Sequence, residues 1–308
     1  MLTVVIPALN EEKAILKTIE NIKSALKKHN IEHEVIVVND GSTDKTGKIA
    51  EEYGAKVIHH PKPGGYGLSL KDGIMAAHHD IIAITDADGT YPTDRLPDLY
   101  NIVVEQGFDM AVGARTGSEY RGTFLKMPAR RVFLWLSEYA AGQKIDDINS
   151  GLRVFKKEIA LKYMPAIGNK FSFTTTITLV ALLEGYFVKY IPIDYYKRVG
   201  KSHVKYWRDS LRSLQIIVEN ILYFNPLKLF LLLINIMLGT SLVSFVIYIF
   251  SDSAKLSFFS GCLAVFCFAT AFIIAAIGLS TDLNRINAKF SKSCHHTNQS
   301  KSDRLNTR

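Results

Sequence analysis

Residues 81–92 read IIAITDADGTYP, an apolar run followed by two acidic residues one position apart. The run 81–84 is typical of a buried parallel strand that ends in a loop. The carboxyl ends of such strands are where open α/β sheets bind ligands. Asp86 and Asp88 would repel each other there unless a cation or donor groups compensate their charge. The pattern therefore predicts a Mg²⁺ or Mn²⁺ site completed by substrate phosphates, with an acidic turn that caps the next helix as the alternative.

Strand and helix patterns alternate around this run. Apolar strands are predicted over 2–6, 34–38 and 55–58, and helices over 11–28, 46–53 and 68–77. Asn10 is a plausible N-cap for the first of these helices. The alternation favours an α/β fold with a doubly wound, mostly parallel sheet.

Two long apolar runs follow, over 229–250 and 256–279, and each is long enough to cross a bilayer as a helix. The short segment 251–255 between them holds one Lys and one Asp, whereas the sequence after the second run is basic. Since basic residues favour the cytoplasmic side, we expect a multi-pass membrane protein with both termini in the cytoplasm. The start of the sequence lacks the basic n-region of a signal peptide, so none is expected. The polar tail 291–308 is predicted to be disordered.

The net charge of +8 indicates affinity for anionic lipid and phosphate. Nucleic acid is not an expected partner, because no DNA- or RNA-binding motif occurs. Cys262, Cys267 and Cys294 lack metal-ligand spacing and are interpreted as packing residues in a reducing compartment.

Two segments, 124–141 and 204–224, combine apolar helical faces with basic residues. Such helices suit the lipid headgroup region, although ordinary amphipathic helices packed on the sheet have the same pattern. The predicted organisation is a cytoplasmic catalytic domain over 1–203, an interfacial helix over 204–225, a transmembrane hairpin over 226–283 and a basic cytoplasmic tail over 284–308.

Six further motifs accompany the acidic pair. They are VVIPALNEE at 4–12, VIVVNDGSTD at 35–44, PGGYG at 63–67, VGAR at 112–115, DINSGLRVF at 147–155 and YYKRVGKS at 195–202. In this order they resemble family 2 glycosyltransferases of the GT-A fold. Within that family the series is similar to the polyprenyl-phosphate sugar transferases, such as dolichyl-phosphate mannose and glucose synthases. The resemblance covers about residues 3–205.

The resemblance also implies roles for individual residues. The nucleotide would be bound by Pro7, Ala8, Asn10, Glu11, Asp40 and Asp86. The metal would be bound by Asp86 and Asp88. Catalytic positions around the donor and acceptor phosphates would be Asp88, Arg115, Arg131, Arg198 and Lys201. Asp40 could instead form an Asx-turn after its strand, and the stretch 147–153 could support the sugar pocket or serve as a turn and cap.

The implied reaction transfers a sugar from a GDP-mannose or UDP-glucose type of donor to a polyprenyl or dolichyl phosphate in the bilayer, with inversion. Alternatives are transfer to another membrane lipid and an inactive membrane scaffold that retains a nucleotide fold. A processive polysaccharide synthase is disfavoured because the Gln-x-x-Arg-Trp motif is missing. Gly89 and Thr90 stand where some mannose synthases have Leu-Gln, so the metal would be coordinated differently or completed by water. A homo-oligomer is compatible with the sequence.

Overall fold

The computed structural model describes residues 1–117, 127–165, 167, 173–198 and 206–306. They divide into two compact units, Met1–Asn220 and Ile221–Arg308. The finer division of the chain into four parts remains a prediction.

Within the described residues of the first unit, seven strands form one sheet in the order β3-β2-β1-β4-β6-β5-β7. Both pairings of β6 are antiparallel and the other four are parallel, which confirms the predicted mostly parallel sheet. The strands are β1 (Leu2–Ala8), β2 (His33–Asn39), β3 (Lys56–His59), β4 (Ile81–Ile84), β5 (Met110–Thr116), β6 (Arg153–Lys156) and β7 (Val188–Asp194).

Helices cover both faces of this sheet. Val4 of β1 lies in the core cluster with Ile19, whereas Val5 points the other way and meets Gly73. A Cβ on Gly73 would lie 2.3 Å from Val5 Cγ1, so only glycine allows the helix to approach β1 this closely. The helices are α1 (Ile15–Lys28), α2 (Thr46–Glu52), α3 (Tyr66–Ala76), α4 (Leu96–Val104), α5 (Met127–Ala141), α6 (Lys157–Tyr163), α7 (Phe173–Leu183), α8 (Tyr206–Phe224), α9 (Pro226–Phe250) and α10 (Ala254–Asn306).

The first helix begins later than predicted, at Ile15, and Asn10 is not its N-cap. Asn10 has a φ of 56°, in the left-handed region that asparagine tolerates better than most residues. Its side-chain Oδ1 accepts a hydrogen bond from the backbone N–H of Thr43 at 2.8 Å. The side chain that would cap the helix therefore ties the β1 loop to the β2 loop.

The strand register brings the polar motifs to one edge of the sheet. Ala8 pairs with Asn39, so β1 and β2 end together, and Ile84 pairs with Val5, so β4 ends three residues earlier at the same edge. Arg153, the first residue of β6, pairs with Ile84 on one side and with Val112 on the other. The loop that precedes β6 and the end of β5 therefore also lie at this carboxyl edge.

The second unit contains α9 and α10, which pack against each other; Ser241 Oγ donates to the Ala264 carbonyl at 2.8 Å. The segments Pro226–Phe250 and Ala254–Asn287 are long and apolar enough to cross a membrane. The helix α10 continues to Asn306, through most of the tail 291–308 for which disorder was predicted. Extending an existing helix fixes few additional residues per hydrogen bond, so a polar sequence can continue one.

The two predicted interfacial segments both form helices. On α5, Val132 and Trp135 are exposed, whereas Leu136 is buried. On α8, Ile217 is fully buried and Leu214 is exposed. Each helix thus has a protein-facing side and exposed apolar residues. Their location in the headgroup region remains a prediction, and residues 118–126 and 199–205 lie outside the described part of the chain.

Candidate active site

The acidic pair follows β4 as predicted. Asp88 is buried, and its Oδ1 accepts hydrogen bonds from the Thr90 backbone N–H at 3.1 Å and the Thr90 hydroxyl at 2.6 Å. Asp86 Oδ1 accepts a hydrogen bond from the Tyr66 hydroxyl at 3.0 Å. Burial and the neighbouring Asp88 carboxylate raise the pKa of Asp86 to about 6. The surroundings of Asp86 thus disfavour its charged form.

Arg198 is the cation that lies closest to this pair in the described contacts. Its Nη2 donates to Glu11 Oε1, and its Nε lies 3.5 Å from Asp88 Oδ2. That Nε is buried and makes no hydrogen bond to the described atoms. Burial raises the pKa of Glu11 above its ordinary value, and the charge of Arg198 offsets part of this rise. The Nε of Arg198 is paired with Asp88 only as an ion pair, so its hydrogen-bonding capacity is not used by the described atoms.

The segment before Arg198 is fixed beside the acidic loop. The Tyr196 backbone N–H donates to the Thr90 carbonyl at 2.9 Å. The Tyr195 ring contacts the Tyr91 ring edge-on, with centroids 5.3 Å apart. These contacts join the end of β7 to the loop after β4, although the two are about a hundred residues apart in the chain.

Arg115, at the end of β5, is paired with Asp147. Its Nε and Nη2 donate to the two oxygens of that carboxylate at 2.7 and 3.0 Å, and its backbone N–H donates at 3.2 Å. Asp147 is 2 % exposed, so this is a nearly buried bidentate ion pair. The Arg115 guanidinium also lies 5.4 Å from the centroid of the Tyr195 ring. Its charge offsets part of the rise in the pKa of Asp86.

Arg153 is fully buried, and no separate role was predicted for it. It donates to the carbonyls of Ser150 and Thr174 and to the Thr178 hydroxyl, so it fastens the loop before β6 to α7. Because that loop is held in place, Gly151 lies against the acidic pair. A Cβ there would lie 3.0 Å from both Asp86 oxygens. The signal was its position in the 147–155 motif, where a charged residue stands inside the otherwise apolar run 152–155.

Asp40 follows β2 and is buried. It accepts hydrogen bonds from the backbone N–H groups of Gly64 and Gly65, both at 2.8 Å, and from His60 Nδ1 at 2.7 Å. Burial raises the pKa of Asp40, but these hydrogen bonds outweigh that effect and leave it below its usual range. The glycine loop therefore closes on a carboxylate of the protein itself. Gly41 permits this, since a Cβ there would lie 2.7 Å from the Lys62 carbonyl carbon.

The remaining expected site residues have different locations. Pro7 and Ala8 end β1, next to the Asp40 loop. Arg131 is exposed on α5, and no described contact joins it to the acidic pair. Lys201 lies outside the described residues. The structure thus brings Glu11, Asp86, Asp88, Arg115 and Arg198 together at the carboxyl edge. Three further residues near these groups were missed because isolated aromatic and histidine residues carry no pattern: Tyr66 donates to Asp86, Tyr91 packs against Tyr195, and His60 donates to Asp40.

The described residues include no group of three or more His, Cys, Asp or Glu side chains that could hold a metal ion. Two carboxylates are the protein ligands that the acidic pair offers. Mg²⁺ and Mn²⁺ suit such a site, because they accept oxygen ligands and take several from phosphates and water. A divalent cation would compensate the charge that burial and Asp88 disfavour on Asp86, so the donor set fits the predicted metal site.

Comparison with known proteins supports the resemblance. Residues 3–163 match the family model described as "Glycosyl transferase family 2". The chain is 35 % identical over 230 residues to the low-salt glycan biosynthesis hexosyltransferase Agl6 of Haloferax volcanii, a match that covers 71 % of this chain and 53 % of that protein. It is 28 % identical to the dolichyl-phosphate hexose transferase of the same organism, over 65 % of this chain and 85 % of the relative.

The fold is also that of a solved structure. Glucosyl-3-phosphoglycerate synthase from Mycobacterium tuberculosis, in complex with Mn²⁺, UDP and glucosyl-3-phosphoglycerate, matches with a TM-score of 0.55 and 21 % identity. The match covers 72 % of this chain and 78 % of that one. This similarity confirms the GT-A fold expected from the sequence.

Proposed function

The chain belongs to glycosyltransferase family 2, and we propose that it transfers a hexose from a nucleotide-sugar to a polyprenyl or dolichyl phosphate. The observation that carries this proposal is the meeting of Asp86 and Asp88 with Arg115 and Arg198 at the carboxyl edge of the sheet. The two carboxylates of this cluster suit a metal-bound diphosphate, and its two arginines suit a second phosphate. The name of the dolichyl-phosphate hexose transferase among the relatives supports a lipid phosphate as acceptor.

On the donor side, Asp86 and Asp88 would hold Mg²⁺ or Mn²⁺ against the diphosphate. The bound cation would neutralise charge on the leaving diphosphate. Pro7, Ala8, Asn10, Glu11 and Asp40 would line the nucleotide pocket. The fixed contact between Asn10 and Thr43 orders the two loops that form this pocket before the nucleotide binds.

On the acceptor side, we assign the lipid phosphate to Arg115, Arg131, Arg198 and Lys201. The pairing of Arg115 with Asp147 holds its guanidinium rigid, so Arg115 would provide a fixed positive field. Arg198 has the unsatisfied Nε and would donate to a phosphate oxygen.

The proposed reaction needs no strong general base. A phosphate monoester is already anionic near neutral pH, because its second pKa is near 6. Its oxygen would form a bond to the anomeric carbon while the bond from that carbon to the diphosphate oxygen breaks. The nucleoside diphosphate leaves with the electron pair, and a single displacement inverts the anomeric centre. The protein then has to align the two substrates and compensate their negative charge.

We further propose that α9 and α10 anchor the enzyme in the bilayer, where the acceptor resides, with both termini in the cytoplasm. The exposed residues Arg131, Val132 and Trp135 on α5 suit the headgroup region. Reporter fusions at the C-terminus test this topology, and an external C-terminus would refute it.

The reaction is tested with the full-length protein in detergent, labelled nucleotide-sugar, Mn²⁺ and either polyprenyl phosphate or the matching polyprenol. The proposal predicts a labelled lipid with the phosphate only, and loss of that product in excess chelator. Equal transfer to polyprenol or to diacylglycerol would show that the acceptor assignment is wrong.

A further inference from the structure

The hydrogen bonds to Asp40 leave it little capacity to bind a ligand. An ionised carboxylate only accepts hydrogen bonds, and its two oxygens offer about four lone-pair positions in total. Oδ1 already accepts two hydrogen bonds, from His60 Nδ1 and from the Gly64 N–H. Oδ2 accepts one, from the Gly65 N–H. A single acceptor position therefore remains, and it is on Oδ2.

His60 is the side chain that fills the position a ligand could otherwise use. Its ring is largely buried between two carboxylates, with Nδ1 against Asp40 and Nε2 3.0 Å from Asp72 Oδ2. Because the carboxylate can only accept, His60 donates from Nδ1. The second contact, to Asp72, fixes the ring, so the occupation of Oδ1 is a built feature of the site.

Nucleotide bases differ in what they present to such a carboxylate. Guanine presents two adjacent donors, N1–H and the 2-amino group, which a carboxylate accepts with both oxygens. Uracil presents one donor, N3–H, between two carbonyl oxygens. With one acceptor position left on Asp40, uracil can be satisfied, whereas guanine would leave one donor unpaired in a buried site.

We propose that Asp40, with Oδ1 occupied by His60 and Gly64, selects a uracil base over guanine, so that the sugar donor is a UDP-sugar. This inference rests on the proposed function, because it takes Asp40 as the residue that meets the base. It chooses between the UDP-glucose and GDP-mannose types of donor that the sequence leaves open.

The test measures binding of UDP, GDP, CDP and ADP to the full-length protein by calorimetry in the presence of Mn²⁺. We expect UDP to bind roughly ten- to a hundred-fold more tightly than GDP, the usual effect of one unpaired buried donor. Equal binding of UDP and GDP, or tighter binding of any other nucleotide than of UDP, would overturn the inference.

Variants of His60 test the cause of the selection. His60→Ala frees an acceptor position on Oδ1 and should reduce the preference for UDP over GDP. His60→Asn keeps a donor near the position of Nδ1 and should retain the preference, as should the control His59→Ala, whose histidine contacts Asn39 and Glu51 instead. An unchanged preference in a folded His60→Ala protein would exclude His60 as the determinant.

Asp40→Asn separates failure of this inference from failure of the proposed function. If Asp40→Asn weakens nucleotide binding while the wild-type protein prefers GDP, only the choice of base is wrong. If Asp40→Asn binds both nucleotides as the wild-type protein does, Asp40 does not meet the base, and both the inference and the assigned nucleotide pocket fail.

Discussion

Carboxylates at the two edges of the central sheet have pKa values shifted in opposite directions. At the amino edge, Glu34 accepts hydrogen bonds from the Thr3 hydroxyl at 2.6 Å and from the His78 backbone N–H at 2.7 Å. Burial raises its pKa, but these hydrogen bonds lower it more, and the result is a pKa of about 2. At the carboxyl edge, burial and Asp88 raise the pKa of Asp86 to about 6.

This difference indicates that the carboxylate at the amino edge serves stability and that the pair at the carboxyl edge serves function. The charge of Glu34 is compensated and stabilises the fold. The charges of Asp86 and Asp88 are crowded, which costs stability and persists because the surrounding structure holds the loop in place. Asp40 is an exception on the carboxyl edge, because its carboxylate accepts hydrogen bonds from two backbone N–H groups and its pKa is lowered, as that of Glu34 is.

The largest expected effect comes from removing a crowded carboxylate. Asp88→Ala should abolish measurable transfer, a loss of at least about 10²–10³-fold in kcat, because a ligand of the diphosphate-bound cation is lost. A steady-state transfer assay measures this, with Glu34→Gln as the control that should retain activity. Wild-type turnover in Asp88→Ala, or full activity in excess chelator, would show that the crowded carboxylates do not bind a metal that the reaction needs.

The second variant tests the structural ion pair at the carboxyl edge. Asp147→Asn leaves the charge of Arg115 uncompensated and should lower the free energy of unfolding by about 3–5 kcal/mol, the usual cost of breaking a buried pair. The adjacent Asp146, which is exposed and lies 3.5 Å from Lys144, offers a matched control. Asp146→Asn should change stability by less than about 0.5 kcal/mol. Similar melting temperatures for the two variants would contradict the importance of the Arg115–Asp147 pair.

The third variant asks how far the basic part of the site extends beyond the sheet. Arg131→Ala should reduce the use of lipid phosphate by roughly ten- to a hundred-fold, the effect of one lost charge-assisted contact of about 1.5–3 kcal/mol. Nucleotide affinity should stay nearly unchanged, which calorimetry can check. The exposed Lys144→Ala is the control. A loss of nucleotide affinity in Arg131→Ala would place Arg131 on the donor side instead.

The smallest effect is expected at the amino edge and depends on pH. The pKa of Glu34 is lower in the folded protein than in the unfolded chain, so its stabilisation is complete above about pH 4.5 and is lost as the pH falls toward about 2. Glu34→Gln should cost about 1–1.5 kcal/mol at neutral pH, because a neutral hydrogen bond replaces a charged one. It should also flatten the pH dependence of unfolding in that range.

Thermal unfolding from pH 7 to 2.5 measures this effect, and Glu32→Gln, at an exposed position two residues earlier in the chain, provides the comparison. If Glu34→Gln and the wild-type protein lose stability in parallel as the pH falls, the amino edge does not stabilise the fold through this carboxylate.

Much of the site could be predicted from the order of the motifs. Each apolar run predicted a strand, and the polar residues after the parallel strands had to meet at one edge because the carboxyl ends of parallel strands coincide. Strand ends thus placed Asp40, Asp86 and Asp88 correctly relative to the sheet, whereas Glu11 was expected to begin a helix and its role came from the family resemblance. The prediction failed at Asn10, where a cap was expected, because the side chain of Asn10 has a better partner in Thr43, 33 residues away.

The sequence alone predicted the strands and helices of about the first hundred residues, their order, the two long apolar helices and the edge at which the chemistry is located, since hydrophobic periodicity and strand ends are local properties. The tertiary structure decided which side chains contact each other across long distances in the chain. The antiparallel insertion of β6 between β4 and β5 brought Asp147 to Arg115 and Gly151 to Asp86. The end of β7 brought Arg198 to Glu11, 187 residues away in the chain. Such partners depend on which strands pair and how loops pack, and no local pattern encodes that choice.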